Sequence, residues 1–157
     1  IRLSLVGSEM CIRDRLKIVE AESIRAVVDA GIIPVCCGGG GVPVIRDSST
    51  GLYTGAQAVI DKDLCAAILA RVTGAELMVI ATDVDGVYTD WGTPQQRRIE
   101  HASPSDLERS QFADGSMGPK VRAACRFVRK TGQRAVIGSL EDIGEIVAGR
   151  AGTLIEP

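Results

Sequence analysis

Several segments of this chain hold residue types that could do chemistry at close quarters. Residues 36–45 read CCGGGGVPVI. The consecutive Gly38, Gly39, Gly40 and Gly41 carry no side chains to keep an anion from the backbone N–H groups. No Gly-Lys-Ser/Thr follows them, and a dinucleotide fingerprint begun at Gly38 would find Pro43 at its third glycine. The alternative is a plain flexible loop, although ordering four glycines in a row is entropically expensive. Ile60-Asp61-Lys62-Asp63 opens a helical pattern. There Lys62 could neutralise phosphate while the flanking carboxylates hold its ammonium or a magnesium ion, or Asp61 could simply cap the helix. Thr82-Asp83-Val84-Asp85-Gly86-Val87-Tyr88 follows an apolar run. Its two Asp could meet a metal or ribose hydroxyls, or serve only as turn formers; no Glu completes a calcium loop. Gly115-Ser116-Met117-Gly118-Pro119-Lys120 leads into another helix. A cation in a first helical turn is disfavoured unless it faces an anion, so Lys120 is either opposite a phosphate or merely on the surface. His101 has no evident partner and reads as a solvated loop residue, and Trp91 reads as packing rather than catalysis.

The elements that must position these segments follow from hydrophobic patterning. Residues 18–30 have helical spacing, with Gly31 as a stop. Residues 32–37 form a short apolar run expected of a buried strand, with Pro34 as a blemish. Residues 42–45 and 52–53 are extended pieces around a turn at 47–51. Asp61 caps a helix reaching to about Val72, Gly74 ends it, and 77–81 is the next buried strand. Residues 82–93 read as loop, and 104–110 as a short helix with Ser103 as cap and Pro104 at its first position. Helix over 118–130, strand over 134–138, helix over 141–148 and strand over 153–155 complete the chain. Alternating helices and apolar strands predict an α/β protein, a parallel or mixed sheet with helices on both faces, with no domain boundary.

Composition narrows the partners. In 157 residues, 18 Lys and Arg stand against 20 Asp and Glu, for a net charge of −2, and aromatic residues make up 3%. That excludes the basic field and the stacking platforms of a nucleic-acid binder. No apolar run is long enough to cross a membrane as a helix. The five Cys form no CxxC pair and a single His is present, which argues against a zinc site and a disulfide scaffold and for a reducing, intracellular compartment. Residues 1–15 fit neither a signal peptide nor a periodic element. Within them LVGSEMCIRDR reads as a translated sequencing adapter, so this segment is expected to be non-native and the protein to be residues 16–157, truncated on its N-terminal side.

The segments CCGGGGVPVI, AVIDKDLCAAILA, ATDVDGVYTDWGTP, GSMGPKVRAACRFV and AVIGSLED, closed by GTLIEP, resemble in this order the amino-acid kinase superfamily, most closely its carbamate kinase family. The resemblance runs from about residue 16 to the end. It implies a three-layer α/β/α sandwich, here incomplete at the N-terminal side, and phosphoryl transfer between ATP/ADP and carbamate/carbamoyl phosphate, with Mg2+ carried by the nucleotide. It also implies a cytoplasmic homodimer in arginine catabolism. Residue by residue, it implies that Lys62 and Lys120 neutralise phosphate charge and that Asp63 orients them. Gly38, Gly39, Gly40 and Gly41 would shape the carbamate and phosphoryl pocket. Asp83, Val87, Tyr88 and Met117 would lie around the nucleotide. Members are about twice this length, so the isolated chain is expected to be inactive. Kinases acting on acetylglutamate or UMP, and a non-catalytic nucleotide-binding module, are the alternatives.

Overall fold

Two apolar strands form the centre of the molecule, whose computed structural model describes residues 17–113 and 115–157; the adapter-like segment 1–15 lies outside them. Strands β3 (Leu77–Thr82) and β7 (Arg134–Ser139) pair in parallel, Leu77 opposite Arg134 and Thr82 opposite Ser139. Strand β8 (Thr153–Ile155) adds antiparallel to β7, and the two-residue β6 (His101–Ala102) adds parallel to β8, giving the order β3-β7-β8-β6. Both faces are covered. Met78, Ile80, Ala135, Ile137 and Ile155 pack into one core with Val121, Ala124, Phe127 and Val128 of α4 (Met117–Thr131) and Ala67 of α2 (Lys62–Thr73). On the opposite face, a Cβ on Gly138 would lie 2.8 Å from the end of the Ile146 side chain and 3.0 Å from the Gly152 backbone, so glycine eases the close approach of α5 (Ile143–Val147) to β7. Burial from both sides explains why β7 reads as a continuous apolar run, whereas β3 is buried at Met78 and Ile80 and half-buried at Leu77 and Val79 on its other face. The result is the expected α/β/α layering on a mixed sheet.

The helix ends follow the residues read as signals. The side chain of Asp61 accepts the Leu64 N–H at 2.8 Å, and Gly74 closes α2 with φ 71°. Asp61→Ala should destabilise the fold by about 1 kcal/mol. Urea unfolding checks this, and an unchanged midpoint would remove Asp61 from the stability of α2. Helix α1 (Ala21–Asp29) matches its pattern, and α3 (Pro104–Glu108) begins with a full capping box between Ser103 and Asp106. Strands β1 (Val44–Arg46) and β2 (Tyr53–Gly55) form an antiparallel hairpin over the turn at Asp47, whose carboxylate accepts the N–H groups of Ser49 and Thr50.

Four expectations are corrected. Residues 32–37 form no strand, and Ile33 is 92% exposed. The Ile32 N–H is engaged by Val27 O at the end of α1, Pro34 has no N–H, and the chain turns sharply at Cys37. A six-residue segment without a ladder partner has no reason to extend. Residues 82–93 are not all loop, because β4 (Val87–Thr89) pairs with β5 (Arg97–Ile99). Three-residue strands, one of them Arg-Arg-Ile, are too short to show a period. The helix expected over 141–148 starts as a 3-10 turn at Leu140–Asp142 and is α-helical only over α5. His101 lies in β6 rather than a loop, and its Nε2 is 2.8 Å from Glu156 Oε1.

Candidate active site

The glycine run reaches α2 through one close contact. Gly40 is buried with φ 130°, and a Cβ there would lie 2.6 Å from the carbonyl oxygen of Ile60. Only glycine permits this approach, which sets the loop against the residue just before Asp61. Beside Gly38, Gly39 and Gly41 a Cβ would meet open space, so that side of the backbone is accessible. The N–H of Gly38 bonds to Cys36 O and that of Gly40 to Cys37 O, both at 2.8 Å. In this conformation Gly39 and Gly41 are the ones left to offer an N–H to an anion.

One residue into α2 the cationic groups converge. Lys120, in the first turn of α4, donates from Nζ to Asp63 Oδ2 at 3.1 Å. Lys62 Nζ stands 3.9 Å from the same oxygen. The Asp63 and Lys120 side chains are 12% and 14% exposed, whereas Lys62 is 65% exposed. A largely buried charge pair needs this geometry to persist. It also answers the helix-dipole objection to Lys120, since a carboxylate faces it. Two ammonium groups against one carboxylate leave the cluster net positive, with its exposed cation on the outer side. Such a cluster can receive a polyanion and hold charge that develops on it.

A second cluster forms at the carboxyl end of β3, where open α/β sheets bind ligands. Exposed Asp83 accepts the Thr82 hydroxyl at 3.0 Å. Tyr88 donates its hydroxyl to Asp85 Oδ1 at 2.7 Å, and Arg98 donates to Asp85 Oδ2 at 3.0 Å. The Tyr88 ring meets Trp91 edge to face, centroids 5.2 Å apart. Trp91 is exposed, so it packs on a rim and not in the core. Val87 is fully buried and donates its N–H to Thr153 Oγ1 at 2.8 Å. Its side chain therefore braces this wall from behind and faces the core. Thr153 in turn donates to Ile99 O, tying β4, β5 and β8 together. Met117 is half-buried against the main core at the start of α4.

The Tyr88 hydroxyl, and then the Arg98 guanidinium, hold the Asp85 carboxyl below the usual carboxylate range. A carboxyl with a depressed folded pKa adds stability above its unfolded value, which is lost as pH falls through the folded value. The Tyr88 anchor should therefore hold from neutral pH down through the ordinary carboxylate range and release only as pH falls below it. Trp91, the only tryptophan, reports it: its fluorescence should change on acidification in the parent chain and not in Asp85→Asn. Identical titrations would contradict the anchor.

Of the residues singled out by sequence, Lys62, Asp63 and Lys120 come together, and the glycine run lies beside them. Asp83, Val87 and Tyr88 gather at the second cluster, which makes no hydrogen bond or ion pair with the first among the described residues. Asp85 as the anchor of Tyr88, together with Arg98 and Thr153, was missed. The three-residue spacing from Asp85 to Tyr88 was a usable signal, whereas Arg98 depends on a strand pairing that the pattern does not reveal.

Comparison with known proteins bears on the family and the fold. The sequence signature of the amino acid kinase family matches residues 3–139. A carbamate kinase from Haemophilus influenzae is 50% identical over 139 residues, covering 88% of this chain and 44% of that protein. One from Rhizobium meliloti is 45% identical over 140 residues, covering 88% and 43%. The structure of carbamate kinase from Giardia lamblia bound to AMP-PNP superposes with a TM-score of 0.85 at 36% identity, covering 90% of this chain and 50% of that one. The chain thus spans about half the length of the relatives it matches. With the signature over most of its length and the same layered fold, the chain belongs to the amino acid kinase family.

Proposed function

We propose that residues 16–157 are the C-terminal, nucleotide-binding part of a carbamate kinase, which transfers a phosphoryl group reversibly between carbamoyl phosphate and ADP. The observation that carries this reading is the pairing of Lys120 and Lys62 with buried Asp63 beside an open glycine loop. The naming of its relatives as carbamate kinases, one of them solved with AMP-PNP, supports it. In the ATP-forming direction an oxygen of the ADP β-phosphate attacks the phosphorus of carbamoyl phosphate. The bond from phosphorus to the carbamoyl oxygen breaks, and carbamate leaves and decomposes to ammonia and carbon dioxide. Such a transfer calls for alignment and charge neutralisation more than covalent chemistry. Lys62 and Lys120 supply positive charge at the moving phosphoryl group, and Asp63 holds them in place. Gly39 and Gly41 offer N–H groups, within a pocket shaped by Gly38 and Gly40. Asp83 and Tyr88 border the nucleotide, with Val87 behind them and Met117 at the start of α4. Magnesium enters with the nucleotide as part of the substrate, which suits a site whose carboxylate Asp63 is already engaged by two lysines. The whole enzyme would be a cytoplasmic homodimer of arginine catabolism, and the 157-residue chain alone would form no ATP.

The test is an acceptor panel on the protein expressed at the length of its relatives. With ATP supplied, ADP should appear with carbamate and not with acetylglutamate or UMP. Phosphorylation of either of the latter would assign a different acceptor. Nucleotide binding without turnover on any acceptor would favour a non-catalytic module.

A further inference from the structure

Two polar side chains are buried among the described residues. One, Asp63, belongs to the cationic cluster. The other is Thr153 of β8, which is wholly buried and has no part in the phosphoryl transfer. Its hydroxyl bonds in both directions. It accepts the Val87 N–H at 2.8 Å and donates to the Ile99 carbonyl. Val87 and Ile99 stand opposite each other in the β4–β5 hairpin, which forms a two-stranded sheet of its own. One oxygen therefore joins both strands of the hairpin to the four-stranded sheet. Just past β5, the Leu154 N–H also bonds to Glu100 O at 2.9 Å. Strand β4 has no such second hold: among the described residues its one hydrogen bond to that sheet is the one to Thr153. Gly86 leaves room for it, since a Cβ there would lie 2.8 Å from Thr153 Oγ1. A two-stranded hairpin is marginal in isolation, so its place depends on what holds it.

We propose that Thr153 is a positioning residue for the nucleotide, its hydroxyl setting where the β4–β5 hairpin presents Tyr88. This rests on the reading of Asp83 and Tyr88 as neighbours of the nucleotide. Tyr88 follows Val87 directly and donates to Asp85 at 2.7 Å. Arg98, opposite Tyr88 in the hairpin, donates to the same carboxylate at 3.0 Å. The hairpin and its Asp85–Tyr88–Arg98 contacts thus form one piece, and the Thr153 hydroxyl joins that piece to the sheet. Without the hydroxyl, the Val87 N–H and the Ile99 carbonyl lose their partner beside the buried Val87 and Thr153 side chains. Unpaired polar groups in such a place are costly, and a shift of the hairpin relieves them. The Lys62–Asp63–Lys120 cluster shares no hydrogen bond or ion pair with this wall among the described residues, so its charge stays in place. The effect therefore falls on nucleotide binding and spares the transfer step.

The experiment measures ATP formation by the protein expressed at the length of its relatives, with ADP and carbamoyl phosphate varied in turn. Thr153→Val keeps the side-chain shape and removes the hydroxyl. It should raise KM for ADP about tenfold, with kcat and KM for carbamoyl phosphate within about twofold of the parent. Thr153→Ser keeps the hydroxyl and should restore the parent's KM for ADP. Ile155→Val trims another wholly buried side chain of β8, controls for a merely loosened core, and should leave KM for ADP unchanged. An unchanged KM for ADP in Thr153→Val overturns the assignment, as does an equal rise in Ile155→Val or no rescue by Thr153→Ser. Should Thr153→Val fail to fold, Gly86→Ala presses a methyl group against the same oxygen, and an unchanged KM for ADP there overturns the assignment instead. A parent that binds ADP but forms no ATP overturns the carbamate kinase reading alone, and ADP affinities from calorimetry then replace KM in the same comparison. A parent that binds no ADP overturns both.

Discussion

Lys120→Ala, in the protein expressed at the length of its relatives, should lower kcat by about 10² to 10³ fold, the range seen when one preorganised group facing transition-state charge is removed. Lys120 is held at 3.1 Å by Asp63 and is 14% exposed, so its ammonium is placed before any ligand arrives. Truncation removes the charge and leaves the Asp63 carboxylate with only Lys62, at 3.9 Å. A charge aimed at the moving phosphoryl group acts mainly in the transition state, so the loss should fall on kcat more than on KM. Lys62→Ala should also lower the rate, with a larger share in KM, because this exposed side chain is free to meet the incoming anion. Steady-state rates of ATP formation separate the two patterns, and wild-type rates in either variant would remove that lysine from the mechanism.

The largest effect on stability should come from Phe127→Ala. Phe127 is 1% exposed, on the face of α4 that packs against the sheet, among Val121, Ala124, Val128, Met78 and Ile137. Emptying such a site costs about 3–5 kcal/mol, as lost transfer energy plus a cavity that neighbours fill only in part. Domains of this size are stable by about 5–15 kcal/mol, so the variant should be largely or wholly unfolded at 37 °C. Val147→Ala, at an exposed position on α5, is the control and should shift stability by less than about 0.5 kcal/mol. Guanidinium unfolding followed by circular dichroism compares them, and equal midpoints would show that the core does not lie where α4 meets β7.

The parts of the fold that were legible share one physical property. Strand β7 is buried on both faces and β3 on one, at Met78 and Ile80, and α2 and α4 end at left-handed glycines, so pattern and punctuation agreed. Residues 32–37 carried the same apolar signal and misled, because composition reports what could be buried, not whether a partner strand is there to bury it. Strands β4, β5 and β6 are two or three residues long, and their pairing is decided by tertiary contacts such as the Thr153 hydroxyl on Val87. The site divides similarly. Asp61 as a cap was readable from spacing alone. The pairing of Asp63 with Lys120, 57 residues apart, came only from the family resemblance, because no local pattern encodes a contact at that separation. The Asp85–Arg98 contact was not foreseen, since it exists only after β4 and β5 have paired.

On the proposed reading, the Lys62–Asp63–Lys120 cluster serves phosphoryl transfer from carbamoyl phosphate. Its most direct test is ATP formation from ADP and carbamoyl phosphate by the protein expressed from a gene re-read upstream of residue 16 and carried to the length of its relatives. The expected result is one ATP for each carbamoyl phosphate consumed, nearly abolished by Lys120→Ala and undetectable with the 157-residue chain alone. A folded, nucleotide-binding protein of that length that forms no ATP, or that forms it equally well with Lys120→Ala, would remove the cluster from phosphoryl transfer.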